Sequence, residues 1–204
     1  MSWLQKAARF VFGGKPVGPE QVRAASRAAA NKAQANMARA ALDFQQGKIG
    51  FDDWFKGMQA EIVNANGAAH ALAHGGFESA DDKTWKRAAK SAAKQLDYFE
   101  GFAKDVAKGR YGFPPGPGML QRAGMYADSA RAAYENERVV VEAEASGAAM
   151  AKRILGASDS CPDCIEWAEL GWIDLEEMLD EYPIGASVCH SRCQCIIVVK
   201  GDED

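Results

Sequence analysis

Apolar side chains recur at intervals of three and four residues through most of the first three quarters of this chain. The clearest such segment contains Phe51, Trp54, Phe55, Met58, Ile62 and Ala65. This spacing places the side chains on one face of an α-helix, because a helix completes a turn every 3.6 residues or so. The pattern therefore predicts that residues from about 19 to 155 are mostly helical and contain no sheet.

Glycine and proline residues mark where the helices end. The predicted helices cover residues 19 to 46, 50 to 74, 79 to 108 and 120 to 155, with Ser79 as a candidate N-cap. A kink or break in the last helix is an alternative, at Gly147 or at the β-branched residues 139 to 141. Residues 113 to 118 form a proline-rich connector that no helix or central strand can accommodate. Four amphipathic helices joined by short links are typical of an elongated helical bundle.

The N-terminal residues from Met1 to Phe12 suit a short helix with Trp3 and Phe10 on one face. Three placements fit that helix: on the body of the protein, on a neighbouring subunit, or on a membrane surface. The small alanine side chains of the helix from Pro19 allow it to lie centrally in the body or to pack against another chain. Neither this helix nor the N-terminal segment has an evident internal partner for its apolar residues. We therefore expect another protein chain to hold the N-terminal part. The segment lacks the long apolar run and small-residue cleavage site of a secretory signal.

Composition narrows the function classes. Hydrophobic residues make up 48% of the 204 residues, which is sufficient for a substantial core. The formal net charge is −4, which disfavours a dedicated duplex-DNA binder although contact with packaged DNA stays possible. No apolar stretch is long enough to span a bilayer, and a membrane is not among the expected partners.

All five cysteines lie in the last quarter of the chain, as Cys161, Cys164, Cys189, Cys193 and Cys195. Cysteines that bind a metal are usually clustered in the sequence, whereas cysteines that form a disulfide framework are usually distributed through a small fold. Two residues between the first pair allow one tight turn to aim both sulfurs at a zinc ion.

The second group holds more candidates than a tetrahedral zinc site requires. Cys189 and Cys193 converge readily, so the preferred ligands are these two with Cys161 and Cys164; His190 or Cys195 is the substitute. Cys195 follows Cys193 by two residues, and both bind one ion only if the chain turns there. Disulfides and packed thiols remain the alternatives to a structural zinc.

The cysteines belong to a distinct C-terminal module. Composition changes at Gly156, which divides the chain into an alanine-rich helical body of residues 1–156 and a cysteine-rich module of residues 157–204. The β-branched run at residues 196 to 199 predicts a short terminal strand, and an acidic tail follows it. The expected fold is mainly α, with a small zinc-finger-like module at its end.

No catalytic constellation is visible, so the chain is predicted not to be an enzyme. It has no Ser-His-Asp set, P-loop or dinucleotide fingerprint. His70 and His74 are spaced for a metal pair, but no matching carboxylate or cysteine accompanies them, so an ordinary helix end is favoured. A basic series is interpreted as a solvated face of the fourth helix, in preference to contact with nucleic acid or with an acidic partner surface. That series comprises Arg122, Arg131, Arg138, Lys152 and Arg153.

The order of these C-terminal residues resembles the signature of the Mu F-like phage head-morphogenesis, or minor capsid, family. The matching runs are Arg153-Ile154-Leu155-Gly156, Cys161-Pro162-Asp163-Cys164, Leu170-Gly171-Trp172, Pro183-Ile184-Gly185, Cys189 and Cys193-Gln194-Cys195. The family's last element is typically Cys-Arg-Cys, often after His-Pro; here Gln194 replaces the arginine and Ser191 the proline. A weaker similarity reaches back to about residue 50.

The resemblance implies a low-copy virion protein, made in the bacterial host cytoplasm and built into the phage head. Its expected partners are the portal or the major capsid protein, and no small-molecule substrate is expected. A zinc-containing nucleic-acid-binding module on a helical scaffold is the main alternative. The Asp and Glu residues of the cysteine module disfavour phosphate contacts. A redox-active dithiol enzyme is a third interpretation, but no βαβ pattern surrounds the Cys161–Cys164 pair.

Overall fold

The computed structural model describes residues 11–12, 15–16, 19–112, 114–156, 158–188 and 193–200. In chain order the elements are β1 (Val11–Phe12), β2 (Lys15–Pro16), α1 (Pro19–Gln45), α2 (Phe51–Ala73), a 3-10 helix (Phe77–Ser79), α3 (Asp82–Ala107), α4 (Pro117–Ser146), β3 (Met150–Ile154), α5 (Pro162–Glu169), β4 (Ile173–Asp174), α6 (Leu175–Glu181) and β5 (Ile196–Lys200). The predicted fold class is confirmed: the protein is mainly helical and ends in a small cysteine-rich module.

The four long helices form the body around an aromatic core. Helix α2 packs against α1, α3 and α4, and α1 packs against α4. Trp54 is fully buried, with its ring centroid 5.5 Å from that of Phe99 and 5.8 Å from that of Phe102. Tyr126 of α4 contacts both phenylalanines, at 5.6 and 6.0 Å. Three of these four ring pairs are edge-to-face and the pair of Phe102 and Tyr126 is stacked, and both arrangements add to the free energy gained by burying the rings.

Helix α1 has internal partners, contrary to the sequence expectation. Its residues Met37 and Ala41 are fully buried in the body core, against α2 and α4. The alanine-rich face allows close approach between helices, so small side chains suffice to fill the interface. At the N-terminus, Val11–Phe12 pairs antiparallel with Lys15–Pro16, so the predicted helix does not extend to Phe12. Residues 1 to 10, with Trp3 and Phe10, lie outside the described residues.

Two predicted helix boundaries are also wrong. Helix α3 is capped by Asp81 rather than Ser79, because the Asp81 carboxylate accepts a 2.8 Å hydrogen bond from the Thr84 backbone N–H in a capping box. Helix α4 ends at Ser146 rather than near residue 155. Gly147 adopts a left-handed conformation, with φ of 71°, and its N–H bonds to the Ala143 carbonyl.

Residues 150 to 154 form a strand where the sequence predicted helix. Strand β3 lies at the centre of a three-stranded antiparallel sheet of order β4-β3-β5, with Ala151 opposite Val199 and Arg153 opposite Ile197. The predicted terminal strand is confirmed as β5. Helix α4 packs on β5, and Val139, Met178 and Ile197 are fully buried in a second apolar cluster.

Among the described residues, no helix combines the length and apolarity needed to cross a membrane.

Candidate metal centre

Three cysteines from opposite ends of the C-terminal module converge in the folded protein. The sulfurs of Cys164, Cys193 and Cys195 all lie within 4.8 Å of one another, and all three residues are buried. In the described part of the chain, no other group of three or more potential metal ligands is found. Three thiols at such separations can be ligands of a single ion, since each zinc–sulfur bond is about 2.3 Å long.

Local structure explains how Cys164 reaches the cluster. Cys161 is the N-cap of α5, Pro162 occupies the first helical turn, and Cys164 follows within that turn. Proline is favoured there because its fixed φ suits a helix and its missing N–H costs nothing. The thiol of Cys161 forms a hydrogen bond with that of Cys164. The tight turn predicted from the Cys-x-x-Cys spacing therefore brings the first two cysteines together.

Cys193 and Cys195 both join the cluster because the regular strand begins only at Ile196. The chain here passes directly over Gly156, where an added Cβ would lie 1.9 Å from the backbone oxygen of Gln194. Such a close backbone approach requires glycine at position 156. The preference for Cys189 over Cys195 rested on an extended chain at Cys193–Cys195. Cys189 and His190 lie outside the described residues.

The described cysteines are thiols rather than disulfides. The sulfurs of Cys164 and Cys193 are 3.6 Å apart, whereas a disulfide bond is about 2.05 Å long. This separation suits two sulfurs that are ligands of one ion, and it is too long for a disulfide cross-link.

Arg153 places a positive charge directly against the thiols. Its side chain is fully buried, and Nη1 lies 3.7 Å from the sulfur of Cys164 and 3.6 Å from that of Cys193. Nη2 donates to the backbone carbonyls of Tyr182 and Pro183, and the guanidinium stacks 4.9 Å from the Trp167 ring.

A buried guanidinium without a counter-charge is costly. Within the described chain, no carboxylate forms an ion pair with Arg153, so sulfur is the available source of negative charge. The charge of Arg153 therefore favours the thiolate form of Cys193, and thiolate is the form that binds metal. The sequence interpretation of Arg153 as part of a solvated helix face is wrong.

The thiols differ in their electrostatic surroundings. Burial raises the pKa of Cys164 well above its usual range. Burial alone would also raise the pKa of Cys193, but hydrogen bonds from the Cys195 backbone N–H and the neighbouring thiols, together with the charge of Arg153, lower it. Cys193 is therefore the first of the two to become a thiolate, and a bound cation would favour ionisation of its neighbour.

A second set of contacts fixes the loop that covers the cluster. The Cys164 thiol donates to the Ser187 hydroxyl at 3.4 Å, and Asp163 accepts the Val188 backbone N–H at 2.8 Å. On α4, Arg131 donates to the Cys193 carbonyl, and Arg138 donates to the Ile197 carbonyl at 2.8 Å. These two arginines also depart from the predicted solvated face: they attach the module to the helical body.

His70 and His74 also have a partner that the sequence analysis did not identify. Glu137 of α4 accepts from His70 Nδ1 at 2.8 Å, from His74 Nε2 at 2.6 Å and from Arg87 Nε at 2.9 Å. Burial alone would raise the pKa of Glu137, but these three donors outweigh it and hold that pKa well below its usual range. Both carboxylate oxygens of Glu137 accept hydrogen bonds, which link α2, α3 and α4. Neither oxygen is left available as a metal ligand.

Signals in the sequence for these partners were weak. Glu137 lies 63 residues from His74, so no local spacing could pair them. The sequence analysis placed Arg153 in the basic series and in the family-like run Arg153-Ile154-Leu155-Gly156, and neither pattern pairs it with the cysteines. No family model matches the chain, and no match was found among curated proteins or among solved structures.

Proposed function

We propose that this chain is a non-enzymatic structural protein of a phage virion, a minor capsid or head-morphogenesis component associated with the portal or inner capsid. Its C-terminal module holds one structural zinc ion. The observation that carries the proposal is the ordered C-terminal run from Arg153 to Cys195, which resembles that family. In the fold, three cysteines of that run, Cys164, Cys193 and Cys195, lie together, and its leading arginine, Arg153, contacts the first two of them.

The donor set supports zinc over cations that prefer oxygen ligands. Three buried sulfurs form a soft ligand set, which suits zinc and excludes the oxygen-seeking cations magnesium and calcium. Cys161, beside Cys164, is one candidate for the fourth ligand, and Cys189 and His190 are the others. A module of this size buries too little apolar surface to be stable alone, so metal bonds would supply the stability it lacks.

The surroundings of the cluster support a structural role. A catalytic zinc keeps an open position beside a general base. Asp163, the carboxylate nearest in sequence to Cys164, is engaged with the Val188 backbone, and the cluster is covered by the loop that follows Pro183. With one of the candidate fourth ligands, these sulfurs would form a closed site that stabilises the fold and binds no substrate.

The test is the location of the chain in the particle. Phage particles are induced from a host that carries the gene, purified, and analysed by quantitative mass spectrometry and chemical cross-linking. The proposal predicts a few copies per particle, cross-linked to the portal or major capsid protein, and defective heads when the gene is deleted. Particles that lack the chain, together with normal heads after deletion, would contradict it.

A DNA-binding measurement separates the main alternative. A zinc-containing nucleic-acid module would bind duplex DNA with an affinity that falls steeply as salt rises, because phosphate contacts release counterions. For a chain of net charge −4 and pI near 5.5 we expect only weak binding without sequence preference.

A further inference from the structure

A cleft separates the helical body from the segment that leads into the cysteine loop. It has a volume of about 420 Å³, with α3 on one side, α4 as its floor and residues 183–186 as the opposite wall. Small-molecule sites in proteins typically measure about 300–1,000 Å³ and often lie where two substructures meet. The cleft is therefore of a suitable size and place for a small ligand.

Its lining is positively charged without a compensating carboxylate. Lys94 and Arg122 both border it, and none of its lining residues is Asp or Glu. The chain as a whole has 28 acidic and 24 basic residues, so this local excess runs against the overall balance. Among the described residues, neither cation forms an ion pair.

The Arg122 guanidinium is held in position beside the cleft. It lies 5.5 Å from the centroid of the Phe102 ring and forms a side-chain hydrogen bond with Tyr126. A cation that is already oriented loses little conformational entropy when it binds an anion. Gln95 and the half-exposed Tyr98 supply further polar groups at the same edge.

The remainder of the cleft is apolar and its far wall is fixed. Ala132, Ala133 and Ile184 are buried and line the floor and wall. Asn136 accepts from the Ile184 backbone N–H at 2.8 Å and donates to its carbonyl at 3.1 Å, so this wall is anchored to α4 by both backbone groups. The cleft is thus preformed, with a cationic edge and an apolar interior.

We propose that this cleft binds a small organic anion, with its phosphate or carboxylate group at Lys94 and Arg122 and its apolar part against Ala132, Ala133 and Ile184. No local motif pointed to this site, because its residues come from three separate segments. The proposal is independent of the virion role, since it concerns the isolated protein.

The test is calorimetric titration of the purified full-length chain at low salt. The probes are phenyl phosphate and 1-naphthoate, with benzyl alcohol as the neutral comparison and inorganic phosphate as the headgroup alone. We expect saturable one-site binding of at least one aromatic anion, about tenfold or more tighter than benzyl alcohol. Comparison of the two anions identifies which headgroup the cleft prefers.

Variants connect the binding to the cleft. Lys94→Ala changes an exposed side chain and should weaken binding about tenfold, as should Arg122→Gln. The matched control is Lys90→Ala, one turn away on the exposed side of α3 and outside the lining, which should leave the affinity unchanged. No saturable binding of either anion up to about 10 mM would overturn the proposal, as would unchanged affinity in the folded Lys94→Ala protein.

Discussion

Two of the buried charged residues, Arg153 and Glu137, have contact partners that are not their neighbours in the sequence. Arg153 contacts two thiols, and Glu137 accepts hydrogen bonds from two imidazoles and a guanidinium. Periodicity cannot predict such contacts, because the residues belong to elements that meet only in the folded chain. The convergence of Cys161 and Cys164 was predictable, since their spacing alone determines it.

Arg153 should act on metal affinity as well as on packing. Replacing Arg153 by Met keeps much of the side-chain volume but removes the charge beside Cys164 and Cys193. Loss of an outer-shell partner typically weakens metal binding about 10- to 100-fold, and we expect that range here. Competition with a chromophoric chelator measures the affinity.

The neighbouring Lys152→Met variant is the matched control, because Lys152 is partly exposed and lies next to Arg153 on the same strand, where successive side chains point to opposite faces of the sheet. Zinc affinity equal in Arg153→Met and wild type would show that the guanidinium does not stabilise bound thiolates.

Glu137 should make stability depend on pH. Its pKa is lowered in the folded protein, so the charged carboxylate stabilises the fold at pH values above its unfolded pKa, and this stabilisation is lost as pH falls below about 4.5. Glu137→Gln should lower the free energy of unfolding by about 3 kcal/mol at pH 7. The difference from wild type should shrink between about pH 5 and pH 3.

Urea unfolding at several pH values provides this measurement. The control is Glu100→Gln, because the exposed Glu100–Lys104 pair, at 3.8 Å, should contribute less than about 1 kcal/mol. A difference between Glu137→Gln and wild type that stays constant with pH would contradict the assigned role of Glu137.

At the level of elements, the long helices were predictable and strand β3 was not. The apolar periodicity of α2 and α3 reports directly which face is buried. In β3 the two buried positions are Ala151 and Arg153, whereas Met150 and Ile154 are more exposed. A strand whose inward positions hold alanine and arginine has no apolar alternation, so helix propensity dominated the prediction.

The glycine that ends α4 separates helix from strand. Gly147→Ala should destabilise the protein by about 1 kcal/mol, because φ of +71° disfavours a side chain although nothing lies within 4 Å of the added Cβ. Gly57→Ala is the comparison: it is inside α2 with equal space, so it should stabilise by about 0.5–1 kcal/mol. Thermal unfolding of both variants checks the opposite signs, and equal shifts in one direction would refute the assignment of the helix end.

At the scale of the whole molecule, helix α4 packs in both the helical body and the cysteine-rich module. Its first part carries Tyr126 into the aromatic core, and its later part binds the module through Arg131, Asn136 and Arg138. The composition change at residue 156 follows β3, the strand that pairs with both β4 and β5. Composition reports where cysteine replaces alanine, but strand pairing depends on contacts that composition does not encode.

Metal removal should therefore destabilise the cysteine-rich module and leave the helical body folded. Chelation should increase amide exchange in residues 158 to 188 and 193 to 200, while α1, α2 and α3 stay protected by their own core. Cys164→Ser should have the same local effect, and zinc should dissociate more readily as pH falls, because protons compete for the thiolates. Unchanged exchange throughout the module after chelation would mean that packing alone maintains it.

The zinc content of the purified chain is the most direct test of the proposed metal centre. Elemental analysis of protein prepared without chelator should find about one zinc per chain, and Cys164→Ser, Cys193→Ser and Cys195→Ser should each reduce that content strongly. Thiol titration in denaturant should then count every cysteine as reduced. Absence of zinc, together with a disulfide at Cys164 or Cys193, would contradict the proposal that these cysteines bind a structural zinc ion.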